Sequence, residues 1–267
     1  MQKVKPKKGL GQHFLTDLSV ARRIAATLDD YKGTPVLEIG PGMGVLTQFL
    51  IADGHDVTVV ELDSESVAYL NEEYPDMAAG GRIVEADFLA LDLTTIFGDK
   101  EFCVIGNYPY NISSQIFFKV LDYKDSIPCC SGMLQREVAE RLAAPAGTKA
   151  RGILSVLLQA WYHVEYLFTV SEHVFNPPPK VKSGVVKLTR NGRTSLPCDE
   201  RLFRSVVKTT FGQRRKTIRN SMRGLIAPDA VIPDSPLTAM RPEQLSVEQF
   251  FDLTNLVASC RHNTNQA

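Results

Sequence analysis

The sequence has no apolar run long enough to cross a bilayer, so no membrane-spanning helix is expected. Its five cysteines, Cys103, Cys129, Cys130, Cys198 and Cys260, form no CxxC pair and stand at no Cys/His ligand spacing. Neither a disulfide framework nor a zinc site is expected from them. They read as reduced thiols in a cytoplasmic protein that holds no metal. Excess charge of one sign is also missing. Thirty basic residues balance thirty acidic ones, so the whole-chain charge points to no partner. The leader from Met1 to Lys8 is basic, but no apolar core follows it, and it reads as no signal peptide. There is no internal repeat and no low-complexity segment.

What is present is an alternation. Short apolar runs at Val36–Ile39, Val57–Val60, Arg82–Val84, Phe102–Ile105 and Gly132–Gln135 predict strands. Helical patterns fall between them at Val45–Ala52, Glu65–Glu73 and Ser114–Leu121, with another at Ile153–Trp161. Before them, Thr16-Asp17 offers an N-cap to a helix through Val20, Ile24 and Leu28. This order implies an α/β fold with a mostly parallel sheet covered on both faces. Two further strand patterns, His163–Val170 and Lys182–Thr189, lack a helix between them and suggest an antiparallel pair at one edge. The stretch from Arg190 to Asp199 is polar and reads as a linker. Only helical periodicity follows, at roughly 200–211, 214–226 and 246–259. We therefore expect one domain over 1–192 and a small all-helical domain over 193–267.

Glu38-Ile39-Gly40-Pro41-Gly42-Met43-Gly44 lies between a strand and a helix. Glycines such as Gly40 and Gly42 let backbone approach a ligand where a side chain would collide. Glu61, twenty-one residues after Gly40, ends the second strand and could accept hydrogen bonds from both hydroxyls of a ribose. Asp87 ends the third strand, placed to meet an adenine edge. The spacing is GxGxG rather than the GxGxxG of a nicotinamide dehydrogenase, and no Gly-Lys-Ser/Thr follows, which excludes a P-loop. A blander alternative makes these residues turn glycines and helix-capping acids.

Strand four ends in Asn107-Tyr108-Pro109-Tyr110. An exocyclic adenine amine is a poor nucleophile, because its lone pair is delocalised into the ring. Two acceptors aimed at its hydrogens, the Asn107 side-chain oxygen and the Tyr108 carbonyl, would pull the nitrogen toward a tetrahedral shape. They would also stabilise the charge that develops as it attacks a methyl group. Pro109 stiffens the loop, and Tyr110 offers a ring on which a base can stack. The alternative is an ordinary Asn-x-Pro turn.

Taken together, these segments resemble the KsgA/RsmA family of ribosomal RNA adenine N6,N6-dimethyltransferases. The resemblance runs through Gly9-Leu10-Gly11-Gln12-His13-Phe14-Leu15, the glycine motif, Glu61-Leu62-Asp63 and Asn107-Tyr108-Pro109-Tyr110-Asn111-Ile112-Ser113. It continues in Val174-Phe175-Asn176-Pro177-Pro178-Pro179-Lys180-Val181 and Phe211-Gly212-Gln213-Arg214-Arg215-Lys216. It implies a Rossmann-like class I methyltransferase fold, a seven-stranded mostly parallel sheet, with a small all-helical C-terminal domain. It also implies transfer from S-adenosylmethionine to two adjacent adenosines near the 3′ end of 16S rRNA, in an immature small ribosomal subunit. Cofactor contacts would fall on His13, Leu15, Gly40, Glu61, Asp87 and Asn107. Two positions depart from the family. His13 stands where an asparagine is usual and can still hydrogen-bond a cofactor carboxylate or hydroxyl. Tyr108 replaces a leucine, and its bulkier ring is expected to bear on how the target adenine enters.

A base inside structured RNA must leave its stack to reach a methyl donor. Tyr110 and Phe175 are the expected aromatic partners, with Phe14 closing the site. From Arg201 to Arg223 there are eight basic residues and no acidic one. Arg215, Arg219 and Arg223, four apart, would form one helix stripe, and with Arg214 and Lys216 would contact phosphates. The leader lysines, Lys3 to Lys8, would add a flexible second contact. A monomer is expected. Open alternatives are a resistance-type methyltransferase acting on large-subunit rRNA and an assembly factor whose catalysis is dispensable.

Overall fold

The structure, a computed structural model, describes residues 4–262. Lys3 lies outside the described residues. Five strands carry the parallel part of the main sheet: β2 (Val36–Ile39), β3 (Val57–Glu61), β4 (Ile83–Glu85), β5 (Cys103–Asn107) and β6 (Cys129–Gln135). Adding β7 (Tyr162–Val170) and β9 (Ser183–Arg190), the order is β4-β3-β2-β5-β6-β9-β7. The pairs β2–β3, β2–β5, β3–β4 and β5–β6 are parallel, and β9 runs antiparallel to β6. The chain moves outward from β2 to β4, then crosses back to β5, so the strand order reverses between β2 and β5. Their carboxyl ends adjoin, Ile39 opposite Gly106, and that crevice is where open α/β sheets hold ligands.

All four residues of β2 and four of five in β5 are buried, as expected of strands covered on both faces. The expected edge pair is β9 and β7, neighbours at the end of the sheet. Caps hold the helices as their sequences suggest. Asp17 accepts from Ser19 N at 2.8 Å ahead of the Leu18–Ala25 helix, and Asp63 caps Ser64–Glu73 through Ser66 N.

A two-stranded sheet went unforeseen. β1 (Phe14–Leu15) pairs antiparallel with β8 (Phe175–Asn176), Leu15 opposite Phe175. The pairing corrects one expectation. Phe175 is 4% exposed and belongs to the core with Leu15, Val20, Ile24 and Val185. Its alternating strand geometry turns the ring inward, where it cannot stack a flipped base.

The chain divides into two compact units that are not consecutive. One runs to Glu140 and resumes over His163–Arg190; the other holds Arg141–Tyr162 and everything from Asn191. Residues 141–162 therefore cluster with the helices rather than with the domain to which the 1–192 boundary assigns them. Within this second unit the buried Arg151 donates to Ala144 O (2.8 Å) and Gln159 Oε1 (2.7 Å), and Gly147 N donates to Glu243 O (2.8 Å). Phe203 meets Phe251, and Phe211 meets Phe250.

The expected helix over 214–226 is broken. The Glu200–Gly212 helix stops at a glycine, and Thr217 is extended. Ile218 N then donates to Met240 O, and only a short Ile218–Ser221 helix and a 3₁₀ turn over Met222–Leu225 follow. Arg215 shares no helix with Arg219 and Arg223, so the stripe does not exist.

Candidate active site

The glycine-rich segment, the ends of β3, β4 and β5, and the segment from Leu10 to Leu15 surround one cavity in the first unit. It brings together His13, Leu15, Gly40, Gly42, Glu61, Asp87, Asn107, Tyr108, Pro109 and Tyr110. Phe14 also lines it, while Phe175 does not. Gly42 has φ +57°, and a Cβ there would meet Phe14 Cε1 at 2.9 Å, so backbone and ring share a space no side chain fits.

Glu61 is 6% exposed and held by three backbone donors. Gly42 N reaches Oε2 at 3.1 Å, and Leu62 N and Asp63 N reach Oε1 at 2.9 Å each. Burial raises its pKa above the usual 4.5, while the three N–H groups favour the charged form. Oε1 thus accepts two hydrogen bonds and Oε2 one, which leaves Oε2 with accepting capacity for a further donor. Asp87 is exposed at the rim, its Oδ1 accepting from Leu89 N at 2.9 Å.

Asn107 is oriented by the leader. Its side-chain amide faces the His13 carbonyl at 3.1 Å, and because a carbonyl can only accept, Nδ2 must occupy that side. Oδ1 is thereby left available as an acceptor. Tyr108 N continues the β5–β6 ladder to Met133 O at 2.9 Å, while no described residue donates to the Tyr108 carbonyl. Two acceptors on adjacent residues thus remain unused at the end of β5.

The Tyr108 side chain does not stand at the mouth of the cavity. It is 1% exposed, its hydroxyl donates to Ser131 O at 2.6 Å, and its ring lies edge-on to Phe117. A Cβ at Gly132 would sit 2.6 Å from Tyr108 Cε2 and 2.4 Å from Gly106 O, so glycine makes the slot that swallows the ring. The bulkier ring, expected to bear on how a target adenine enters, is therefore packed beneath the site instead. Tyr110 is half-buried, bonded to Ser183 Oγ at 2.6 Å, with its ring 5.5 Å from that of His13. His13 Nδ1 donates to Pro177 O at 2.8 Å. With Nδ1 so committed, Nε2 is the ring nitrogen left to meet a ligand.

The leader is pinned rather than loose at Lys7, whose ammonium pairs with Asp63 and with Glu65 (3.1 Å). One lining residue had no assigned role in the sequence. Glu38 is 1% exposed, and Thr47 Oγ1 donates to its Oε2 at 2.6 Å. The signal was a lone acid inside an otherwise apolar strand. Burial pushes its pKa from 4.5 to about 8. A carboxyl raised in the fold contributes fully below about 4.5, and that contribution is lost as pH climbs toward 8. Glu38→Gln should therefore gain on the ligand-free wild type as pH rises from 5 to 8, by on the order of a few kcal/mol. Parallel melting curves across that range check this; a constant difference would refute it.

Among the described residues no group of three His, Cys, Asp or Glu could hold a metal, and no helix is long and apolar enough to cross a membrane. A family model described as ribosomal RNA adenine dimethylase matches residues 3–259. The chain belongs to that family. Relatives in it include the ribosomal RNA small subunit methyltransferase A of Parabacteroides distasonis, 68% identical over 100% of this chain and 98% of its own. The protein of the same name from Porphyromonas gingivalis is 62% identical over 96% and 99%. Among solved structures, a dimethyladenosine transferase from Plasmodium falciparum has a TM-score of 0.75 at 22% identity, covering 93% of this chain and 98% of its own. The 23S rRNA methyltransferase ErmE has 0.65 at 25%, covering 91% and 99%. The family fold, a class I methyltransferase sheet with a helical C-terminal region, is the one described above.

Proposed function

We propose that this protein dimethylates the N6 amines of two adjacent adenosines near the 3′ end of 16S rRNA, using S-adenosylmethionine. The observation that carries this is the pair of unused acceptors, Asn107 Oδ1 and Tyr108 O, beside a glycine cradle and a buried ribose-type acceptor, Glu61. Relatives 60% or more identical carry the small-subunit name, which favours that substrate over large-subunit rRNA.

The residues fit the cofactor. Gly40 and Gly42 leave room for its chain, Glu61 would meet the ribose hydroxyls and Asp87 the adenine edge; Leu15 and His13 also line the cavity. When bound, S-adenosylmethionine supplies an electrophilic methyl group. Asn107 and Tyr108 accept the two amine hydrogens and stabilise positive charge on nitrogen without reorganising. Pro109 keeps the loop stiff. Tyr110 gives the extruded base a face, and Phe14 an apolar wall. The methylated nitrogen is acidic and releases its proton to water. The proposal extends to a monomer acting in the cytoplasm on the immature small subunit.

For RNA, the five basic residues divide. Arg214 is engaged with Lys149 O and Glu243, Arg219 with Asp234 (2.6 Å), and Arg223 with Ala230 O (2.9 Å). Arg215 and Lys216 are exposed. Replacing both with alanine should lower the slope of log K against log salt by roughly 1.4 to 1.8. An unchanged slope would remove them from the interface.

The direct test is transfer of labelled methyl groups to under-methylated small subunits, with large subunits alongside and nucleosides identified by mass. Dimethyladenosine only in small-subunit RNA is expected. Label in large-subunit RNA would overturn the substrate assignment, and none in either would overturn the reaction.

A further inference from the structure

The loop after β4, Phe88 to Leu93, walls the cavity beside Asp87 with Phe88 and Leu89. It has no regular structure of its own, yet it must hold its shape for a carboxylate at its start to meet a ligand. The Ser113–Asp122 helix, which begins where the Asn107–Ile112 loop ends, grips it. Lys119 Nζ donates to Phe88 O at 2.6 Å, to Leu89 O at 3.2 Å and to Leu91 O. These three bonds use all three ammonium hydrogens on backbone carbonyls of one loop. Four residues on, Tyr123 receives Leu93 N (3.3 Å) and donates to Asp92 Oδ1 (3.0 Å). Lys119 also lies 5.0 Å from the centroid of the buried Phe88 ring. Desolvation lowers its pKa, while Asp87, Asp92 and Asp122 act to keep it charged.

Lys119 is half-buried and no described carboxylate lies in bonding range of it, so it is not a surface ion pair. Its charge is spent on carbonyl dipoles that would otherwise repel one another around a tight turn.

We infer that Lys119, supported by Tyr123, is a positioning residue for the adenine end of the cofactor site, fixing the Phe88–Leu93 loop and through it Asp87. This rests on the cofactor reading above. The same helix thus reaches both halves of the reaction centre: its start follows the loop that meets the amine, and its last turn shapes the wall that meets the adenosyl group.

The test is calorimetric titration of S-adenosylhomocysteine into the full-length wild type, Lys119→Met and Tyr123→Phe, with ligand-free melting curves and 16S rRNA binding measured in parallel. Lys119→Met keeps an unbranched side chain one atom shorter and removes the charge and the three donors. It should weaken binding roughly tenfold or more, with kcat at saturating cofactor and RNA affinity within about twofold of wild type. Tyr123→Phe should shift affinity in the same direction by less. Affinity unchanged in Lys119→Met would overturn the inference. So would parallel losses in kcat, RNA affinity and melting temperature, which a merely structural role predicts. A wild type that binds no S-adenosylhomocysteine would instead overturn the cofactor reading.

Discussion

Asn107→Ala should slow methyl transfer by roughly 10²–10³-fold while leaving S-adenosylhomocysteine affinity within about fivefold. The asymmetry follows from the amide's two ends. Nδ2 is tied to the His13 carbonyl, so the free Oδ1 is the end that meets the amine, where charge appears only as the methyl moves. Fixed dipoles of this kind act on the transition state more than on the bound ground state. Single-turnover rates with saturating cofactor and RNA, set beside a binding isotherm, separate the two quantities. Equal losses in rate and affinity would make Asn107 a structural link to the leader instead. Asn107→Asp sharpens the test: it keeps acceptors but loses the donor, sets a carboxylate against a carbonyl, and should be impaired as severely as alanine.

Glu61→Gln should weaken cofactor binding by roughly 10²–10³-fold. The carboxylate satisfies donors on both sides, Gly42 N on one oxygen and Leu62 N with Asp63 N on the other. A glutamine has a single acceptor oxygen, so its NH₂ must face one of those sets. The change therefore removes a charged acceptor for a ribose and loosens the glycine turn. Titration with S-adenosylhomocysteine measures the loss, and affinity within threefold of wild type would exclude Glu61 from the ribose site. Because Asp63 caps the next helix independently, the melting temperature should change far less than the affinity.

The sheet, its alternating helices and its edge pair were legible because the central strands are short apolar runs whose ends carry glycines or acids, and the edge strands follow one another with no helix between. The cavity was legible because its parts sit at strand ends, and strand ends in a parallel sheet converge. What was hidden depends on partners far along the chain. Phe175 looks like a loop residue beside three prolines until Leu15 pairs with it, 160 positions away. Tyr108 looks like a bulky ring beside the target base until Gly132, on the neighbouring strand, opens a slot for it. Arg219 and Arg223 look like a phosphate-binding stripe until the chain folds back and offers Asp234 and Ala230 O. Helical spacing predicted the stripe; Gly212 and the extended Thr217 ended it, and no periodicity argument weighs a tertiary hydrogen bond such as Ile218 N to Met240 O.

The interleaved arrangement of the two units has a consequence for how the protein is made. The stretch from Arg141 to Tyr162 leaves the ribosome before β7 and β9, yet its partners in the helical unit lie beyond Asn191. The helix that carries Leu154, Val156, Leu157 and Leu158, all buried in the finished fold, must wait through dozens of residues of synthesis for the Glu200–Gly212 helix it packs against. Neither unit can be completed by a growing chain in strict order. The same fact governs how the protein can be divided in the laboratory. A cut at residue 192 strands an apolar helix on one fragment and removes its packing from the other. A helical unit meant to stand alone would have to carry 141–162 grafted back onto it.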